Sequence, residues 1–282
     1  MDELNSRDLQ NINRVVTQAL AETRLNKLWH YLHDEYGIGR KNGSNLQLTA
    51  KDHQRVREIT QNNTRLDPIL PLPTGSRLEV SKSTGNEKLF SESPGRHHIL
   101  LNSPGGLLKL NAVEIPLMPG SSYRCDWREL DLTQIKTVIV VENLQAFDYI
   151  QQAQLPNELN GAWVLYRGHD VSSQAAIDLL NALPEKTNII GFFDYDPAGF
   201  KILLTTTRIR QCLLPKLSEN LFKLAAGTRS RFHNQQAAMT YIESLHLPAS
   251  LHSHWQELMQ HKVCISQELM LAETIKLDCY SL

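Results

Sequence analysis

Three acidic residues in the middle of this chain stand where an α/β sheet would present its chemistry. Glu142 follows the β-branched run Thr137–Val141 (TVIVV), and Asp194 and Asp196 follow residues 188–193 (NIIGFF) in the sequence Asp-Tyr-Asp-Pro-Ala-Gly. If both runs are parallel strands, all three carboxylates lie at carboxyl ends, where open parallel sheets bind ligands near a switch in strand order. Three converging carboxylates with no Lys or Arg beside them repel unless cations join them. Hard oxygen donors select Mg²⁺ or Mn²⁺ over zinc. Such an ion holds a phosphodiester, lowers the pKa of an attacking water and stabilises the leaving oxygen. Taken singly, a Glu after a strand serves the dipole of the next helix and DxDxxG is a common turn. Together, on successive strand ends, they point to phosphoryl transfer on a phosphodiester.

The elements that must position them read as a β–α–β–α–β unit. After Thr137–Val141, the residues Leu144, Phe147 and Ile150 mark one face of a helix. Trp163–Tyr166 (WVLY) is a second strand, ended by Gly168, and Ser172 or Ser173 can cap the following helix, whose inward face is Ala176, Leu179, Leu180 and Leu183. Residues 188–193 form the third strand. The fold class is therefore α/β, with a parallel sheet and right-handed crossovers. His169, in Gly168-His169-Asp170 at the second strand end, is placed either to touch phosphate or move a proton, or to cap the next helix.

Charge is divided unevenly along the chain. Residues 131–199 hold 3 Lys/Arg against 9 Asp/Glu, and residues 200–232 hold 7 against 1. An acidic block followed by a basic one suits a metal site beside a phosphate-binding surface, or simply two solvated faces of opposite sign. Lys201, Arg208, Lys223, Arg229 and Arg231 are the candidate contacts to a DNA backbone.

Three segments are expected. Residues 1–73 read as a helical region: apolar residues recur at helical spacing over 8–36, breakers follow at 37–44, and Thr49 caps a second helix through Val56 and Ile59. Pro68, Pro71 and Pro73 end it. Residues 74–130 read as a small β-rich subdomain, with short runs such as RLEV, HHILL, LLKL and VEIPL between Gly, Pro and Asn turns. Residues 131–282 hold the parallel unit and a C-terminal helical extension, with helices near 253–258 and 265–275. No GxxxxGK[ST] loop occurs, so any nucleotide hydrolysis belongs to another chain. No apolar run approaches the ~20 residues of a membrane span, and the acidic start MDELNSRD has no signal-like core. Four scattered cysteines without a CxxC pair suit reduced thiols in the cytoplasm.

The stretches TVIVVEN, YRGHDVSSQAAIDLL and GFFDYDPAGFKI resemble the Toprim domain of topoisomerases, primases and certain nucleases. The form VVEN…G…FFDYDPAG is similar to the topoisomerase VI A-subunit branch, and nearer still to the nuclease subunit of Wadjet/Mks-type SMC anti-plasmid systems (JetD/MksG-like). The resemblance covers 136–202, with support from SRLEVSKSTGNEKLF and from CISQEL near the end. It implies a Toprim-type sheet and a metal-dependent DNA endonuclease with Glu142, Asp194 and Asp196 as its catalytic, Mg²⁺- or Mn²⁺-binding acids. It adds Glu268 as a further metal-binding carboxylate. It implies plasmid DNA and SMC–kleisin subunits as partners, and a homodimer. Two alternatives stand beside it: a transesterase acting through a tyrosine, and a non-catalytic DNA-binding adaptor with a degenerate Toprim fold. No winged-helix pattern surrounds Tyr31 or Tyr36, so hydrolysis is the expected chemistry.

Overall fold

Asn5 opens the first helix of the chain by a capping box: its side chain accepts the Asp8 backbone N–H at 3.0 Å while Asp8 accepts that of Asn5. The computed structural model describes residues 4–75, 77–84, 89–90, 95–168 and 171–282, and the chain divides into two compact units, Met1–Pro94 and Gly95–Leu282. In the first unit, α1 (Ser6–Thr17) and α2 (Lys27–Tyr36) are separated by β1 (Glu22–Arg24), so the stretch 8–36 is not one helix. Ala19 turns left-handed at φ 47°, and Asn26 caps a fresh start by accepting from the Trp29 backbone N–H. The helical spacing survives the break because both helices feed one core, Ile12, Val15 and Val16 packing with Leu28, Trp29 and Leu32. Gly37 ends α2 in the left-handed region, as the breakers suggest. The hairpin β2 (Arg40–Asn42) and β3 (Asn45–Gln47) completes an antiparallel sheet of order β1-β3-β2. Thr49 then caps α3 (Ala50–Thr64) in a capping box with Asp52.

The run RLEV, expected as a strand, lies in α4 (Arg77–Thr84). Leu78 is 79% exposed and Val80 is fully buried. Two apolar residues at i and i+2 fit a strand, and four residues are too few to tell that period from a helical one.

The second unit runs β4 (His98–Asn102), β5 (Leu107–Leu110), β6 (Val113–Pro116), β7 (Tyr123–Asp126), β8 (Thr137–Val141), α5 (Leu144–Asp148), β9 (Trp163–Tyr166), α6 (Val171–Ala182), β10 (Asn188–Phe192), α7 (Pro197–Thr205) and β11 (Gln211–Pro215). It continues through α8 (Glu219–Leu224), α9 (Arg229–His233), α10 (Gln236–Glu243), α11 (His252–His261), α12 (Gln267–Ala272) and β12 (Leu277–Ser281). One sheet has the order β12-β11-β10-β8-β9-β4-β7. Its centre is parallel: β10 pairs with β8 and β11, and β8 pairs with β9. Val138 to Val141 are wholly buried, which is why β8 reads as an unbroken apolar run.

The sheet is mixed rather than parallel throughout, because β12 and β4 join the two outer parallel strands antiparallel and β7 extends β4. Both β11 and β12 fall in a region expected to be helical or basic surface. The expected separate β-rich segment 74–130 does not stand apart either. Its strands β4 and β7 belong to the large sheet, with Leu101 paired to Leu165 of β9, and only β5–β6 forms its own hairpin. Local alternation marks an antiparallel strand but does not name its partner.

Across the sheet the parallel strands lie β9-β8-β10-β11. Chain connections leave β8 first to one side and then to the other, so the switch point lies between β8 and β10.

Candidate functional site: a carboxylate cluster at the switch point

Asp194, Tyr195 and Asp196 lead from the end of β10 into α7, Asp196 in extended form, and the residue between the two acids anchors them. Tyr195 is fully buried, donates its hydroxyl to the His254 carbonyl at 2.8 Å, and exchanges backbone hydrogen bonds with Ile265. Asp196, 3% exposed, is the N-cap of α7: Oδ1 accepts the Gly199 N–H at 2.8 Å and Oδ2 accepts from Gln235 Nε2 at 2.8 Å. The Gly in Pro-Ala-Gly is required by close approach, since a Cβ at 199 would lie 2.0 Å from the Asp194 carbonyl oxygen.

The Tyr195–Ile265 bridge brings the segment CISQEL onto the site. Gln267, fully buried, then ties both strand ends together. Its side chain donates to the Phe192 carbonyl at 2.7 Å and accepts the Asn143 N–H at 2.9 Å, while its backbone N–H donates to Asp194 Oδ1 at 2.8 Å. Asn143, the N-cap of α5, donates its side-chain amide to Glu268 Oε1. Glu142, Asp194, Asp196 and Glu268 thus come from four chain positions to one end of the central strands. Sequence reading found the four acids but missed Gln267, Gln235 and Asn143. A neutral amide carries no charge signal, and only CISQEL drew attention to this part of the chain.

Electrostatics at this end are unbalanced. Burial pushes the Asp194 carboxyl up to about 7, with repulsion from Asp196, Glu142 and Glu268 adding to it against the Gln267 hydrogen bond. One cation does stand near, contrary to expectation: Arg167, just past β9, holds Nη1 3.8 Å from Glu142 Oε1. It followed the second strand in the sequence, and pairing across strand ends, not spacing along the chain, makes it a neighbour of Glu142. Asp194 Oδ2 and Glu268 Oε2 accept no hydrogen bond from the described residues. Among those residues, no three His, Cys, Asp or Glu side chains close on a single point as a finished metal cage.

Comparison with known proteins adds a family to this geometry. Residues 96–279 match the model of a domain of unknown function, DUF7281. The chain belongs to the DUF7281 family. No curated protein matches it. The DUF7281 match takes in nearly all of the second unit, including the four carboxylates, both glutamines and Arg167.

Within the DUF7281 domain the expected DNA contacts separate into two groups. Arg208 is turned inward: its guanidinium donates to the carbonyls of Leu180, Leu183 and Pro184, stopping the C-terminal end of α6, so it is not presented to a phosphate. Lys201 lies 5.3 Å from the Tyr241 ring centre, and Lys223 pairs with Glu219 at 3.6 Å on the exposed face of α8. Arg229 and Arg231 are exposed and have no ion-pair partner among the described residues. The segment that carries them is tied to the site at both ends, Thr228 accepting the Cys264 N–H and Gln235 gripping Asp196. His169 lies outside the described residues, and α6 starts at Val171, so Ser172 and Ser173 fall inside it rather than before it.

Proposed function

We propose that this chain is a divalent-metal-dependent DNA endonuclease, hydrolysing phosphodiesters at the cluster of Glu142, Asp194, Asp196 and Glu268. The observation that carries the reading is the Asp194 carboxyl, lifted to about 7 at a switch point where three other acids add to its load. A cation is the simplest partner for such a group. The donor set fits Mg²⁺ or Mn²⁺ in chemistry, since every candidate ligand is a carboxylate oxygen. Among the described residues nothing donates to Asp194 Oδ2 or Glu268 Oε2, and Glu142 lies beside them in charge. Bound there, the ion would supply charge neutralisation and an acidified water.

The chain's own residues supply the rest. Gln267 holds the ends of β8 and β10 at a fixed spacing, and Asn143 orients Glu268. Asp196, fixed by Gly199 and Gln235, sets the turn that presents Asp194. Arg167, half-buried and only loosely paired, is placed to take a phosphate oxygen once Glu142 is otherwise neutralised. Arg229 and Arg231, on the segment tied to the site through Thr228 and Gln235, serve the DNA backbone beside it.

The tyrosine alternative is the weaker one. The Tyr195 hydroxyl is buried against a carbonyl, and the phenols of Tyr31 and Tyr36 hydrogen-bond each other, which pushes Tyr31 up. By its resemblance to Toprim nuclease subunits of Wadjet/Mks-type systems, the enzyme would act as a cytoplasmic homodimer on plasmid DNA delivered by an SMC–kleisin complex. The experiment is incubation of pure protein with supercoiled plasmid and Mn²⁺ or Mg²⁺. Open-circle or linear product free of attached protein supports the proposal. Protein-linked ends would favour the transesterase, and DNA binding without cleavage the adaptor.

A further inference from the structure

Beside the carboxylate cluster, α5 and α12 leave a groove of about 260 Å³ between them. Its walls are of three kinds. Leu271 and Ala272 of α12 are aliphatic, Tyr149 is an aromatic ring 39% exposed, and Gln145 and Gln152 bring side-chain amides that bond no other described group. Glu268 closes the end that meets the cluster, where Asn143 holds its Oε1. Tyr149 is backed on its hydroxyl side by Gly120, whose N–H is bonded to the Asp148 carbonyl; a Cβ at 120 would lie 3.1 Å from the Tyr149 oxygen. A partly exposed tyrosine backed in this way loses little side-chain freedom when something flat is laid on it.

Flat apolar faces with unpartnered amides at the edge suit a planar heterocycle with donors and acceptors around its rim. The groove is smaller than the ~300–1,000 Å³ of pockets that enclose drug-sized ligands, and it opens to one side. That suits a single base better than a stacked duplex. We infer that this groove is a subsite for one unpaired nucleobase, belonging to a nucleotide next to the phosphate at the carboxylates. The inference rests on the nuclease reading and sharpens it: the substrate enters the site with at least one base out of its pair. Tyr149 stacks on the base and Gln145 and Gln152 meet its edge, which gives stacking energy with little sequence preference.

The test is binding of a short single-stranded oligonucleotide carrying 2-aminopurine, measured by fluorescence in EDTA so that cleavage plays no part. With wild type, 2-aminopurine at one position should be quenched on binding. Tyr149→Ala should lose the quenching and weaken binding roughly tenfold, as removal of a stacking ring does, whereas Tyr149→Phe should keep both. Ala272→Trp, which fills the groove without removing a contact, should also abolish quenching, and melting curves show whether each variant is folded. Unchanged quenching and affinity in both Tyr149→Ala and Ala272→Trp would overturn the subsite while leaving plasmid cleavage, assayed separately, to stand for the nuclease. A wild-type protein that neither binds the oligonucleotide nor cuts plasmid would remove both readings together.

Discussion

The two ends of the central sheet differ in a way that cavity size alone would misjudge. At the amino end of β8 and β9 lies a cleft of about 870 Å³, lined by Lys109, Asp131, Lys136, Glu158 and Trp163 among others. Its polar groups are largely answered from within: Lys109 pairs with Glu114 at 2.7 Å, Asp131 accepts from Thr133, and the Trp163 indole donates to the Lys109 carbonyl. At the carboxyl end the groove that Glu268 lines is smaller, about 260 Å³, but Asp194 there lies under the repulsion of three other acids and is lifted to about 7, and Arg167 pairs only loosely with Glu142. Unbalanced charge under partial burial, held in place by buried amides, is the better pointer to chemistry.

The largest expected effect sets the two ends directly against each other. Asp194→Ala should lower metal-dependent plasmid cleavage by about a hundredfold or more, at or beyond the usual cost of losing a metal-supporting group. Lys136→Ala in the amino-end cleft should leave the rate within about twofold; equal losses in the two variants would erase the distinction.

Next in size is the clamp. Gln267→Leu removes two side-chain hydrogen bonds from a fully buried position and leaves the Phe192 carbonyl and Asn143 N–H unanswered. Each such group costs about 1–3 kcal/mol, so urea unfolding should show a loss of roughly 2–6 kcal/mol. Lys109→Ala, on the exposed hairpin, should stay within about 0.5 kcal/mol of wild type.

A smaller effect follows from the raised Asp194. Its folded value lies above the unfolded one, so the native state keeps a proton that the unfolded chain gives up. The stability this group contributes is full below about pH 4 and is lost as pH rises through about 7. In EDTA, Asp194→Asn should therefore melt above wild type by a margin that widens from about pH 5 to about pH 8. Burial lowers His254 to about 4, which acts in the opposite sense, destabilising as pH falls below its ordinary range, but it is common to both proteins and drops out of the difference. A margin that stayed flat with pH would mean that Asp194 is not under load.

The smallest is at Arg167. Its 3.8 Å pair with Glu142 is partly exposed, so Arg167→Ala should change stability by less than about 1 kcal/mol. It should nonetheless lower the Mn²⁺ concentration needed for half-maximal cleavage while slowing cleavage at saturation, because the site gains negative charge and loses a phosphate ligand. A half-maximal Mn²⁺ concentration that did not fall, with the rate at saturation unchanged, would assign Arg167 a purely structural place.

How much of this was legible in sequence depended on whether the signal was local. TVIVV and WVLY gave β8 and β9 to the residue, because strands buried on both faces need no alternation to be seen. The acids at their ends were visible from the same runs. Edge strands were harder: β12 is only partly buried, and β4 and β7 showed strand character without showing that they join the large sheet. Arg208 was misread because charge counting cannot tell an arginine that caps a helix from one that faces solvent. Gln267 and Gln235 were invisible for the opposite reason, since what makes them matter is the hydrogen bonds they make between elements far apart in the chain.

The central claim is that the carboxylate cluster takes up a divalent cation, and isothermal titration with Mn²⁺ near pH 7 tests it most directly. Wild type should show saturable binding accompanied by proton release, read from the change in heat between buffers of different ionisation enthalpy, because the cation displaces the proton held by Asp194. Asp194→Asn should bind more weakly and release no proton. Wild-type protein that shows no saturable heat at millimolar Mn²⁺, or binding that Asp194→Asn leaves untouched, would contradict the account.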